Sequence, residues 1–193
     1  MKIKKIIDLC KKQNVLILIN DKNSEFQWVS DGQAIYPLLG LPKFSLSQLC
    51  LTYDIDTKKQ DKMSLQVWNC LPSDFDFSDT AADSEELCYN VDFGFAFDDS
   101  SALPLKTKDG ICFIDKKYLL PLADVRDAVK VYSRYDVSGR MYFVLKVGFM
   151  LSGIVTPMKN IINEHFISEL ERVTELCKEA MKSKVEFING IEE

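Results

Sequence analysis

A chain of 193 residues, 47% hydrophobic and 11% aromatic, is long enough for one sizeable core and too apolar to be disordered throughout. Its formal charge of −5 and pI near 5.1 disfavour direct DNA binding, because like charges would meet the phosphates. No apolar run approaches the roughly 18 residues of a membrane span.

The chain opens with a basic Met-Lys-Ile-Lys-Lys, as a signal peptide would, but Asp8, Lys11 and Lys12 break the apolar region that should follow. A soluble protein of the bacterial cytoplasm is expected. Ile3, Ile6, Ile7 and Cys10 recur at helical spacing with lysines around them, and Asn14 can close that helix. Val15 to Ile19 reads as a central strand, and Phe26 to Val29 as the returning arm of an antiparallel hairpin. Tyr36 to Pro42, punctuated by two prolines and a glycine, reads as irregular chain against the core. Ser45 to Tyr53 is helix-like, with Ser45 and Gln48 placed as a capping box. Leu65, Val67 and Trp68 open a further strand.

Pro72 to Glu86 has the composition of a loop, and fifteen residues is long for a connection inside a compact domain. Tyr89 to Phe97 alternates Tyr89, Val91, Phe93, Phe95 and Phe97 on one face, which predicts one continuous core strand with Asp92 outward. Ile111 to Ile114 is a short strand, Tyr118 to Val125 holds a helical turn, and Val129–Tyr135 with Met141–Met150 forms a hairpin that Gly153 to Val155 can extend. From about Asn163 to Lys184, Phe166, Leu170, Val173, Cys177 and Met181 mark an amphipathic helix. Strands bracketed by helices predict an α+β fold: one domain over 1–193, an antiparallel sheet with the N-terminal helix and the long C-terminal helix packed on it.

Charge is distributed unevenly along this framework. Between Lys62 and Lys106 there is no lysine or arginine, while nine carboxylates occur: Asp74, Asp76, Asp79, Asp83, Glu85, Glu86, Asp92, Asp98 and Asp99. The remaining chain, with 24 basic and 20 acidic residues, carries +4. Such one-sided fields bear on partners and encounter rates, not on fold.

Motifs for chemistry are scarce. The six cysteines include no pair at CxxC spacing, and His165 is the single histidine. That argues against a zinc site and for free cysteines used as small core hydrophobes in a reducing compartment. There is no GxSxG, P-loop or GxGxxG. Asp54 with Asp56, and Asp74 with Asp76, have a spacing that can collect a divalent cation, but DxD on loops is common by chance. The basic residues come in isolated pairs, not in the clusters a nucleic-acid binder needs. No cofactor, metal or catalytic residue is expected.

What stands out is a candidate partner-binding segment. Asp74, Asp76, Asp79, Asp83, Glu85 and Glu86, with Asp98 and Asp99 further on, offer a charge row to a basic surface. Phe75 and Phe77 would be apolar anchors within it. The plainer alternative is a solubilising loop whose Phe75 and Phe77 fold back onto the core.

The stretch Gln27-Trp28-Val29-Ser30-Asp31-Gly32-Gln33-Ala34-Ile35-Tyr36-Pro37-Leu38, with Gly40-Leu41-Pro42, Tyr53-Asp54-Ile55 and Leu119 to Val125, resembles a group of short proteins carried by phages and plasmids of Firmicutes. That group is similar to anti-CRISPR proteins that inhibit type II-A Cas9. The resemblance implies a mobile-element-encoded, non-enzymatic inhibitor whose partner is Cas9 or Cas9 with guide RNA. It transfers no site residue, and the acidic segment lies outside it. Two alternatives stand beside this one: an accessory or regulatory binding protein of a phage or plasmid, and a metal-dependent enzyme with a carboxylate site.

Overall fold

A computed structural model describes residues 2–80, 85–91, 93–97 and 100–189. The chain divides into two compact units, Met1–Met158 and Lys159–Glu193. Helices and mixed sheets make it α+β, with a helix near each end.

The first unit begins with helix α1 (Ile3–Gln13), which buries Ile6, Ile7, Leu9 and Cys10. Asn14 closes it in the left-handed region at φ 54°, donating its amide to the Cys10 carbonyl. Strands β1 (Val15–Ile19), β2 (Trp28–Ser30) and β3 (Ala34–Pro37) follow, then helices α2 (Leu46–Thr52) and α3 (Thr57–Gln60), and strand β4 (Ser64–Trp68). The capping box is present: Ser45 accepts from the Gln48 amide, and the Gln48 side chain accepts from the Ser45 amide. Next come β5 (Glu86–Leu87), β6 (Tyr89–Asn90), β7 (Phe95–Phe97), β8 (Ser100–Thr107) and β9 (Gly110–Asp115), and a 3-10 segment over Lys116–Ala128. The unit ends with β10 (Val129–Tyr135), β11 (Met141–Val147) and β12 (Met150–Val155).

Among the described residues the larger sheet runs β4-β1-β2-β3-β12-β11-β10-β5. All its neighbours are antiparallel except β1 and β4, which pair in parallel with Leu16 opposite Leu65. The sheet is therefore mixed, not purely antiparallel. In the smaller sheet β9 lines one edge of β8, and β6 and β7 share the other.

Two corrections concern single elements. Residues 89 to 97 do not form one core strand. Asn90 faces Leu105 while Phe95 faces Ala102, so the ladder along β8 is interrupted at Leu103 and Pro104; Asp92, expected to point outward, lies outside the described residues. Proline has no N–H for that ladder, and Tyr89 and Phe93 are left 62% and 53% exposed. Conversely, Ala34 to Pro37, where irregular chain was expected to begin, is a fully buried strand.

Alternation along the strands gives the large sheet two apolar faces. One carries Leu16, Leu18, Val29, Tyr36, Phe143, Leu145 and Val155, and is covered by α1, Leu105 of β8, Ile114 of β9, and Tyr118 and Leu122 of the 3-10 segment. The other carries Ile17, Ile19, Trp28, Ile35, Tyr142, Val144, Leu151 and Ile154, with Phe26, Leu71, Phe75 and Phe77 packed against it. Opposite Leu145–Lys146 the register slips, so that Gly153 and Leu151 are partnered and Ser152 is the extra residue. This bulge changes the phase of β12 and turns Leu151 toward the second face. Gly153 is required there, because a Cβ would stand 2.8 Å from Cδ1 of the Tyr36 ring.

The second unit is dominated by α4 (Glu164–Asn189). Asn163 begins it, its side chain accepting from the Phe166 amide at 2.9 Å. No described helix is long and apolar enough to cross a membrane.

Candidate functional site

The acidic segment is laid over the second face of the sheet, along β11. At the end near the β10–β11 turn, Phe75 stacks edge-on against Tyr142 with centroids 4.9 Å apart. The Asp76 amide donates to the Tyr142 hydroxyl at 3.0 Å. Phe77 meets the Trp28 ring at 5.1 Å. Towards the other end, the Asp79 carboxylate accepts from the Leu151 amide, beside the bulge, at 2.6 Å. The chain then returns, and Glu86 pairs with Ser133 of β10.

Two buried cations hold this course. Arg134, 1% exposed, and Lys146, 4% exposed, stand on the second face of β10 and β11. Arg134 donates through Nη1 to the Asp76 carbonyl at 2.8 Å, and through Nη2 to the Ser78 and Thr80 carbonyls at 3.0 Å each. Its Nε donates to Glu85 Oε2 at 2.6 Å. Lys146 Nζ donates to Glu85 Oε1 at 2.6 Å and to the Asp79 carbonyl at 3.0 Å. Glu85, its side chain 3% exposed, thus bridges both cations. The planar guanidinium fork lets one side chain fix three loop carbonyls and a carboxylate together.

The expected site residues fall into distinct roles. Glu85 spends its charge inside the protein. Asp74 is half exposed, 3.6 Å from Arg140. Asp76 is 44% exposed, accepts from the Ser78 amide and lies 3.5 Å from Arg134. Burial is the largest single effect on Asp76 and opposes its ionisation. The bonds from Ser78, with the charges of Arg134 and Lys146, together outweigh it and hold its carboxyl below the ordinary value. Asp79 and Glu86 are exposed residues. Phe75 and Phe77 pack against the core, as the plainer reading of the loop had it. Asp83, Asp98 and Asp99 lie outside the described residues.

Sequence reasoning missed Arg134 and Lys146, although a signal exists. Each is a cation one residue inside a strand end, Arg134 between Ser133 and Tyr135 and Lys146 between Leu145 and Val147, where a buried charge is rarely tolerated without a partner. It also missed an apolar tip. Phe149, in the β11–β12 turn, is 92% exposed and Met150 is 52% exposed, two residues and one residue from the Leu151 amide that Asp79 holds.

Asp56 caps α3 by accepting from the Lys59 amide at 2.7 Å, and Asp54 adopts φ 53° in the preceding turn. Among the described residues no group of three or more His, Cys, Asp or Glu is placed to hold a metal. Buried Asp31 closes a turn through Oδ1, accepting from Gln33 and Ala34, while its Oδ2 has no hydrogen-bond partner. Burial first, and the Asp31 charge second, push the Cys10 thiol and the Tyr36 and Tyr118 hydroxyls well above their ordinary values. Cys10 is therefore a protonated core residue, not a thiolate nucleophile.

No protein-family model, curated protein or solved structure matches this chain.

Proposed function

We propose that this protein is a non-enzymatic binding protein that presents a fixed acidic surface to a basic surface on another protein. The observation that carries this reading is the strapping of the acidic segment along β11. Arg134 and Lys146 hold its carbonyls and Glu85, while Asp74, Asp76, Asp79 and Glu86 stay exposed. A strapped segment loses little conformational freedom on binding, which favours affinity. Carboxylates facing solvent would steer a cationic partner in a salt-dependent way. Phe149 and Met150, beside the Asp79 anchor, supply the apolar contact that Phe75 and Phe77 do not.

The sequence resemblance points to Cas9, free or with guide RNA, as the partner, and so to a mobile-element inhibitor acting in the bacterial cytoplasm. The mechanism is occupation of a surface that otherwise handles nucleic acid. Pull-down with purified Cas9 and guide RNA at low and high salt tests it. Capture at low salt that weakens at high salt, and weakens again in Asp74→Asn/Glu86→Gln, is expected. No capture at low salt removes Cas9 as the partner. Capture indifferent to salt and to both substitutions removes the acidic-surface mechanism.

A further inference from the structure

The two ends of the larger sheet are finished differently. At one end β5 is two residues long and begins with Glu86, short and charged as sheet edges usually are. At the other, β4 runs Ser64-Leu65-Gln66-Val67-Trp68 with no charge, no proline and no bulge. Among the described residues β1 is its sole sheet neighbour. Val67 is 47% and Trp68 36% exposed. An uncharged edge of this kind is a template for a further strand.

The ladder to β1 decides which groups that edge offers. The Ser64 amide donates to the Asn14 carbonyl, and the Trp68 carbonyl accepts from the Asn20 amide, each at 2.8 Å. Ser64, Gln66 and Trp68 therefore turn their peptide groups toward β1, and Leu65 and Val67, by alternation, turn N–H and C=O outward. Side chains on the second face are engaged with one another: Trp68 Nε1 donates to Gln66 Oε1 at 3.0 Å, and Gln66 Nε2 to Ser64 Oγ at 2.8 Å.

The outward groups fit a second β4 running antiparallel. With Gln66 opposite Gln66 of the other copy, Leu65 lies opposite Val67 and Val67 opposite Leu65. Both outward residues are then paired, each pair exchanging both its N–H···O bonds. A register centred on Leu65 or on Val67 pairs just one of them within the strand. Ser64 falls against Trp68, and no charge meets a like charge anywhere along β4.

We propose that β4 is a dimerisation edge, paired antiparallel with β4 of a second copy across a two-fold axis at Gln66, so that the larger sheet continues through both chains. The test uses the full chain with Cys70→Ser and Cys177→Ser, since both cysteines are exposed. Light-scattering mass at high loading is expected to approach twice the 22.1 kDa of one chain and to fall on dilution. Val67→Pro removes an outward N–H and no bond to β1, and Val67→Lys puts a charge on the edge. Each is expected to give the single-chain mass with parental far-UV circular dichroism; should Val67→Pro disturb the fold, Val67→Lys alone decides. Facing Cα atoms of a pair without main-chain bonds stand about 4.5 Å apart, within disulfide reach. Gln66→Cys is therefore expected to yield a covalent dimer under mild oxidation. Ser64→Cys is not, since its two copies would lie about 13 Å apart at a rise of about 3.3 Å per residue. A single-chain mass at every loading overturns a second copy as the occupant, and a dimer that survives the Val67 variants overturns this edge. Failure of Gln66→Cys to cross-link, or equal cross-linking of Ser64→Cys, overturns the register.

Discussion

Glu85 faces two cations and almost no water, and that determines what its loss would do. Removing one partner of a buried ion pair leaves an uncompensated charge, at a cost of about 3–5 kcal/mol. Glu85→Gln should destabilise by that amount, since Arg134 and Lys146 would share one neutral amide. Glu86→Gln, one residue on and exposed, should stay within about 0.5 kcal/mol. Urea unfolding compares them directly, and equal midpoints would mean the clamp is not structural. Asp76 adds a pH dependence. Its folded carboxyl lies below the ordinary 3.8, so the folded state binds its proton less readily than the unfolded one. The stability it gives is present above that ordinary value and is lost as pH falls through the lower folded one. Thermal midpoints of the parent and Asp76→Asn should therefore run apart above the ordinary carboxylate value and converge as pH falls well below it.

At the scale of elements, what was legible in the sequence was local. The Ser45–Gln48 box, the β1–β2 hairpin and the β10–β11 hairpin are set by residues within a few positions of one another, and each forms where its pattern lies. The loop was misjudged because its anchors are remote: Glu85 and Arg134 are 49 residues apart, Asp79 and Leu151 are 72 apart, and no local period encodes such pairs. The broken strand after Asn90 has the same origin, since the interrupting Pro104 belongs to its partner. Gly153 also acts at a distance. A methyl group there meets Tyr36, which cannot yield easily because its hydroxyl donates to the Tyr118 carbonyl at 2.7 Å. Gly153→Ala should cost about 1–3 kcal/mol by overpacking, and should shift the environment of the Tyr36 ring in near-UV circular dichroism. An unchanged melting midpoint would show that β12 moves away without penalty.

Across the whole molecule, the segment between Lys62 and Lys106 presents a weaker field than its nine carboxylates imply. Glu85 is cancelled within the sheet by Arg134 and Lys146, and Asp74 is partly offset by Arg140. The acidic surface and the apolar tip should therefore act on different steps of binding. Rim charges change how fast a partner arrives and how strongly salt matters, whereas a desolvated aromatic anchor changes how long it stays. Asp74→Asn/Glu86→Gln should lower the association rate with the basic partner and flatten its salt dependence, leaving dissociation nearly unchanged. Phe149→Ala should do the reverse, speeding dissociation at least tenfold if the ring is a hot spot worth about 1.4 kcal/mol or more. Surface plasmon resonance at two ionic strengths separates the two. Glu85→Gln gives the control, because its effect should follow the fraction folded and carry no salt signature of its own. A Phe149→Ala variant with parental dissociation would place the contact elsewhere on the acidic surface, away from the β11–β12 turn.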